Sequence, residues 1–389
     1  MAHTSLRHRF PGAANEWARF DGPAGTQVVD TAITAVCDWL SNGNNGCGGG
    51  HFAAAHAADE LQARTRATVG RLFGGDPNGM VFGPNMTSLT FAFSRSVGVT
   101  LKPGDRIVGT RLDHDANVTP WHMAAERAGA EHVLAPFDPV TGTLPPENVI
   151  ALIDERTRWV TLPAASNLLG TTPDLEPIIA AAHAVGARVF VDAVALAAHR
   201  RIDIAALGCD AIATSPYKWY GPHAGMLWVQ PDLLDALPAF KVRPAPDHGP
   251  RRFETGMPDY EALAGVEATA LFLLEEGMDE IQAAERELFA PLLDGLLSIP
   301  RVTVYGVHGL EGRTPTAAFT IEGHTPSEVS QALADAKIAV WDGHNYAVEV
   351  VDQLGLASSG GVVRAGISRY LEPSDVDRLL SVVHRLAVI

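Results

Sequence analysis

The chain has 389 residues, 47% hydrophobic and 19% charged, with a formal net charge of −16. That length predicts two domains, and the acidic balance excludes a nucleic-acid partner, whose phosphates need clustered positive charge. The absence of a membrane-length apolar run, the lack of an apolar core in "MAHTSLRHRFPG", and three cysteines (Cys37, Cys47, Cys209) without metal-ligand or paired spacing predict a cytoplasmic, reduced protein with no metal site.

In chain order, "ITAVCDWL" reads as a helix with Cys37 on its buried face, and the glycine-rich "NGNNGCGGGH" as a flexible loop carrying Cys47. "AADELQARTRATVGRLFGG" has helical apolar spacing and stops at a Gly pair. Then strand and helix patterns alternate: "GMVFG", "NMTSLTFAFSRSVG", "RIVGT", "VTPWHMAAERAGA", "EHVLAPF", "RWVTLPA", "DLEPIIAAAHAVG", "ARVFVDAVA", "DAIATS" and "AGMLWVQ". Such alternation predicts an α/β fold with a mostly parallel sheet covered by helices on both faces. After residue 259 come two long helices, strands "VTVYGV" and "AAFTIEG", a helix "PSEVSQALADA", a strand pair around "IAVWDG" and "GGVVRAGIS", and a closing helix. The predicted organisation is an N-terminal segment 1–28 near the active-site mouth, a large domain 29–259 and a smaller α+β domain 260–389.

Lysine is scarce: Lys102, Lys218, Lys241 and Lys337 are all there is. Three of them sit in turns, a Pro-rich run or a surface helix end and read as solvated. Lys218, in "ATSPYKWYGPHAG", follows an apolar strand; it is either a salt-bridged structural residue or an amine held near a cofactor. In an open parallel sheet, ligands sit beyond the C-terminal strand ends. Those ends here deliver Asp192, Ser215 with Lys218, and Ser166 with Asn167. "FGPNMTSLT" opens a helix with Asn85, Met86, Thr87 and Ser88, whose free amides and hydroxyls form an anion site without net positive charge.

Together these groups fit pyridoxal phosphate, which needs an amine to condense with its aldehyde, a carboxylate to keep its ring nitrogen protonated, and a phosphate cradle. Taken singly, Asp192 reads equally as a cap at a strand exit and Thr87 as an ordinary first-turn residue. The conjunction in chain order carries the inference.

The chain resembles the class V aminotransferase family, pyridoxal-phosphate enzymes of fold type I whose best-known members are the cysteine desulfurases. The likeness runs through "FDGPAGTQV", "HDANVTPW", "SNLLGT", "FVDAVA", "SPYKWYGPHAG", "RFETGMP" and "VVRAGISRY". It implies that Lys218 bears the cofactor and Asp192 partners its ring nitrogen. It also implies that His114 stacks on the ring, and that Asn167 contacts the cofactor's phenolic oxygen or the substrate carboxylate. Arg364 would pair with that carboxylate. Met86, Thr87, Ser215, Tyr217, Gly256 and Met257 complete the expected cofactor set, and a homodimer with shared sites is the expected assembly.

Departures matter as much. The position of the desulfurase thiol, after a Gly-His-x motif, is held by Tyr346 in "GHNYAVEV". Cys37 and Cys209 read as packing, leaving Cys47 as the one loop thiol. The family's frequent histidine before the lysine is Tyr217, its glutamine after the aspartate is Ala195, and its Gly-Thr-Pro segment is Gly256-Met257-Pro258. The chain is thus similar to a desulfurase-like branch without the catalytic cysteine. The expected reaction is C–S lyase or desulfurase-like β-elimination on a small amino-acid substrate, with His344 and Tyr346 as acids toward a sulfur leaving group. Class V transamination is the alternative, followed by epimerisation and a non-catalytic cofactor-binding role. No complete G-x-G-x-x-G follows a strand, which excludes a nicotinamide-binding fold.

Overall fold

A computed structural model describes residues 5–44 and 46–388. Its main sheet has seven strands in the spatial order Met80–Gly83, Gly225–Val229, Ala211–Thr214, Arg188–Asp192, Thr157–Pro163, Arg106–Thr110, Glu131–Ala135. Five neighbours, from Ala211–Thr214 to Glu131–Ala135, pair in parallel. Gly225–Val229 runs antiparallel to both of its neighbours. The sheet is therefore mostly parallel, as the alternation predicts, with one strand reversed.

Side chains alternate across the pleat, so the inner strands feed two cores. Val81, Ile107, Trp159, Phe190, Ala213 and Leu227 point to one face. There they meet Leu89, Phe93 and Val97 of helix Met86–Gly98 and Trp121 of helix Thr119–Ala128. Phe93 stacks on Phe190 at 5.8 Å and Trp121 meets Phe190 edge-on at 5.2 Å. Val108, Val160, Leu162, Val189 and Val191 point to the other face, among Ile178 and Ile179 of helix Glu176–Ala184.

The second sheet is antiparallel, in the order Trp341–Gly343, Val362–Gly366, Thr316–Ile321, Val302–Tyr305. Helices Met278–Ser298, Pro326–Asp335 and Pro373–Ala387 accompany it. Helix Tyr260–Glu276 packs instead against helices Asp30–Ser41 and Ala53–Phe73. On Asp30–Ser41 the inward residues are Ala32 and Trp39; Cys37 is exposed, which corrects the expectation that it is buried. Cys209 is buried as expected. Lys241 also differs from expectation: its side chain is 16% exposed and its amine lies 2.9 Å from Asp247.

The N-terminal segment, expected near the active-site mouth, is held there through its backbone. Ala18–Arg19 pairs in parallel with Ile338–Ala339, and Phe20 C=O accepts the Gly366 N–H at 2.9 Å. Six residues later Thr26 N–H donates to Tyr217 C=O at 2.9 Å. Residues 18–26 thus run as a strap from the small sheet to the Lys218 turn.

Candidate active site

Strand Ala211–Thr214 ends in Ser215, and the turn Pro216–Lys218 that follows brings the lysine back over the strand ends. Its Nζ donates to Pro23 C=O at 2.5 Å, a carbonyl supplied by the strap. Gly366 makes that approach possible, since a Cβ there would lie 2.3 Å from Pro23 Cγ. Burial and the Arg364 guanidinium push the Lys218 amine down to about 7, against the opposing pull of Asp192.

Asp192 closes strand Arg188–Asp192 and is 6% exposed. Burial pushes its carboxyl up to about 6; the Val194 N–H bond to Oδ1, at 2.9 Å, and the Lys218 charge work the other way. That bond is the local cap that one reading of Asp192 expects.

His114 follows strand Arg106–Thr110, and its Nδ1 accepts the Ala116 N–H at 2.9 Å. Burial, then the charges of Lys218 and Arg364, hold the imidazole down at about 3, so it is neutral at any ordinary pH. Its ring stacks on Tyr346 with centroids 5.4 Å apart and planes 22° apart.

Arg364 sits mid-strand between Trp341 and Ala318 and is 4% exposed. Its Nη1 donates to Asn167 C=O at 2.8 Å, while Nε is buried without a partner. Burial pushes this guanidinium down to about 9, a loss that an apposed carboxylate would reverse. Asn167 lies beside it, donating through Nδ2 to Asn345 C=O at 2.7 Å and leaving Oδ1 buried and unpaired.

The helix at Met86 starts against strand Gly225–Val229. A Cβ at Gly225 would lie 2.4 Å from Asn85 C, so only glycine lets the helix begin there. Asn85 caps it, accepting the Ser88 N–H at 2.8 Å, and Ser215 Oγ accepts the Met86 N–H at 2.9 Å. Among the described residues the Thr87 N–H has no partner, which leaves one first-turn amide open to an anion. Thr87 itself is exposed. Tyr217 is half-buried with its ring 5.4 Å from Lys218 Nζ and 5.3 Å from the His223 ring.

The loop after strand Trp341–Gly343 comes across from the small sheet. Asn345 and Tyr346 have φ of +49° and +60°, left-handed values that bulky residues rarely adopt. Asp115 N–H donates to Tyr346 C=O at 2.8 Å and His344 Nδ1 accepts the Tyr346 N–H at 2.9 Å. Arg111 fastens the next helix, Val348–Gln353, through Glu349 at 2.7 Å and Asp352 at 2.8 Å.

The structure therefore brings Lys218, Asp192, His114, Asn167 and Arg364 together from four strand ends and one mid-strand position, with a loop laying the largely exposed Tyr346 on His114. Ser166 is drawn off into a local turn, its Oγ accepting the Leu169 N–H at 3.3 Å. Gly256 and Met257 line a cavity of about 350 Å³ with Ser88, His223 and Arg95, beside the start of helix Met86–Gly98. Met257 is 67% exposed there. Pro23 was invisible to the sequence reading because a carbonyl leaves no mark in residue type.

Residues 19–379 match the family described as aminotransferase class V. The chain belongs to the class V aminotransferase family. An uncharacterized protein of Mycobacterium tuberculosis is 31% identical over 98% of each chain. A cysteine desulfurase of Enterobacter is 31% identical, covering 95% of this chain and 93% of that one. Among solved structures, a cysteine desulfurase from Escherichia coli superposes with a TM-score of 0.88 at 26% identity, covering 99% and 98% of the two chains. An apo cysteine desulfurase from Thermococcus onnurineus superposes at 0.92, with 24% identity over 98% and 97%, and shows the same fold. As a class V aminotransferase with fold type I architecture, the chain is a pyridoxal-phosphate-dependent enzyme. Its residues fit that group: a depressed amine, a buried carboxylate, an open helix-start amide, and an arginine whose Nε awaits an acceptor.

Proposed function

We propose that the protein catalyses β-elimination at a C–S bond of a small amino acid, without a persulfide cysteine. The observation that carries this reading is the loop Gly343–Tyr346, which lays a phenol, not a thiol, against His114 in the cleft. Pyridoxal phosphate supplies the electron sink that makes the α-proton of an amino acid acidic. Arg364 holds the substrate α-carboxylate through its unpaired Nε, with Asn167 beside it. Lys218, with its amine near neutrality, would hold the cofactor and is the base placed to accept the substrate's α-proton. Asp192, ionised above about pH 6, keeps a proton on the ring nitrogen. His114, neutral, would supply a stacking face, and Ser215, Tyr217, Met86 and Thr87 would hold the phosphate. His344 and Tyr346 are the acids that protonate departing sulfur.

Gly256 and Met257 extend from one protomer toward the phosphate of a second in a homodimer. The reading includes an N-terminal segment 1–28, a large domain 29–259, a small domain 260–389 and a cytoplasmic setting. No helix among the described residues is long and apolar enough to cross a membrane.

Transamination is the second reading, favoured by the family match itself. Product analysis separates the two. The loaded protein is mixed with cysteine, cystine, S-substituted cysteines and alanine, with and without a keto-acid acceptor. Pyruvate, ammonia and a thiol or sulfide formed without acceptor are expected. Conversion that requires the acceptor would replace elimination with transamination.

A further inference from the structure

Glu285, on helix Met278–Ser298, is 1% exposed and lies outside the cleft described above. A buried carboxylate persists only where its bonds are filled. Its Oε1 accepts the Tyr220 hydroxyl at 3.0 Å, and its Oε2 lies 2.7 Å from His199 Nδ1. The Tyr220 hydroxyl also accepts the Arg369 N–H at 3.3 Å. These partners stand on the three chain segments that leave the site. His199 follows Asp192, Tyr220 follows Lys218 and Arg369 follows Arg364, each within the next few residues of its segment.

Tyr220 has φ of +73°, a conformation that costs a bulky aromatic residue and must be held in place. Its N–H donates to Thr26 Oγ1 at 2.8 Å and its C=O accepts the Val29 N–H at 3.0 Å. Its ring packs against Phe10, Phe272 and Tyr370. Burial and the Glu285 charge push its hydroxyl well above the ordinary value, so it remains a donor at neutral pH. Glu285 is the one acceptor for that hydroxyl among the described residues.

We propose that Glu285 is a positioning residue for Lys218: by holding Tyr220 in its left-handed conformation, it sets where the amine stands relative to Asp192 and Arg364. The proposal rests on the reading of Lys218 as the cofactor-bearing lysine. His199, Arg200, Arg286 and Arg313 are the titratable or charged groups sharing the small cleft that reaches Glu285.

The test follows the visible absorbance of the loaded full-length protein across a pH titration, with the melting temperature measured alongside. Tyr220→Phe and Glu285→Ala are expected to move the midpoint in the same direction by about half a pH unit or more. Glu285→Gln, which keeps an acceptor for the hydroxyl, is expected to restore most of the parent midpoint. A lower melting temperature with the parent's midpoint in both Tyr220→Phe and Glu285→Ala would overturn the proposal, as would an equal shift in Gln and Ala. Should Glu285→Ala not fold, Tyr220→Phe decides alone, because it keeps the ring packing. Borohydride reduction and peptide mapping of the parent separate the two possible failures. A label away from Lys218 sinks the underlying reading, whereas a label on Lys218 with unmoved midpoints sinks only the role of Glu285.

Discussion

Lys218 and Arg364 are charged groups placed where charge is unwelcome, and each is understood through what it lacks. Lys102 and Lys337 are exposed, and Lys241 is paired with Asp247. Lys218 has a carbonyl at 2.5 Å, and the acid across the cleft is offset by burial and Arg364. Those two effects disfavour the ammonium form, so the amine gains its nucleophilic lone pair as pH rises through about 7. Incorporation of pyridoxal phosphate into cofactor-free protein is therefore expected to quicken about tenfold from pH ~6 to ~8, then level off. Stopped-flow absorbance reads this directly, and a profile still climbing above pH ~9 would mean an ordinary lysine. Arg364 makes a separate prediction. Lysine cannot reproduce the planar fork, so Arg364→Lys should lower kcat/KM by about ten- to a hundredfold, mostly through KM. A parent-like KM would remove Arg364 from the carboxylate site.

The loop Gly343–Tyr346 is the element on which the reaction type turns. If Tyr346 protonates the leaving sulfur, Tyr346→Phe should cut elimination by about a hundredfold while leaving any acceptor-dependent exchange intact. Equal elimination rates in parent and variant would make the phenol a filler of space. The strands and helices were legible because their apolar periods are strong; the reversed Gly225–Val229 was not, since a strand buried on both faces reads alike in either direction. Residues at strand ends were legible too, because topology alone decides where Asp192 and Lys218 emerge. The segment Ala18–Thr26 is expected near the site, but its pairing is not legible: a two-residue strand carries no period, and its contribution to the site is the Pro23 carbonyl. Cys37 proves exposed because it lies at the edge of the apolar arc of helix Asp30–Ser41, next to the polar side, where residue type alone does not decide burial.

That same helix sets the question at the scale of the whole molecule. Its inner side is anchored by Trp39, stacked on Tyr260 at 5.9 Å. Its outer side shows Ile33 at 39% and Leu40 at 51% exposure, one helical face apart by two turns, with Cys37 between them. A fully buried side chain of this size is worth about 1.5–3 kcal/mol, and covering what remains exposed of Ile33 and Leu40 would contribute part of that. A second copy of the chain is the occupant expected from the shared-site assembly. The double variant Ile33→Glu, Leu40→Glu should then sediment as a monomer with parent-like circular dichroism, since both side chains point away from its own core. If two copies meet through this face, high salt should strengthen the contact by screening the acidic repulsion. A parent that is monomeric, or a variant that stays dimeric, would move the contact to another face. Because Gly256 and Met257 are expected to reach the neighbouring phosphate, the monomeric variant should also release its cofactor faster, a link between assembly and site that absorbance after dilution would measure.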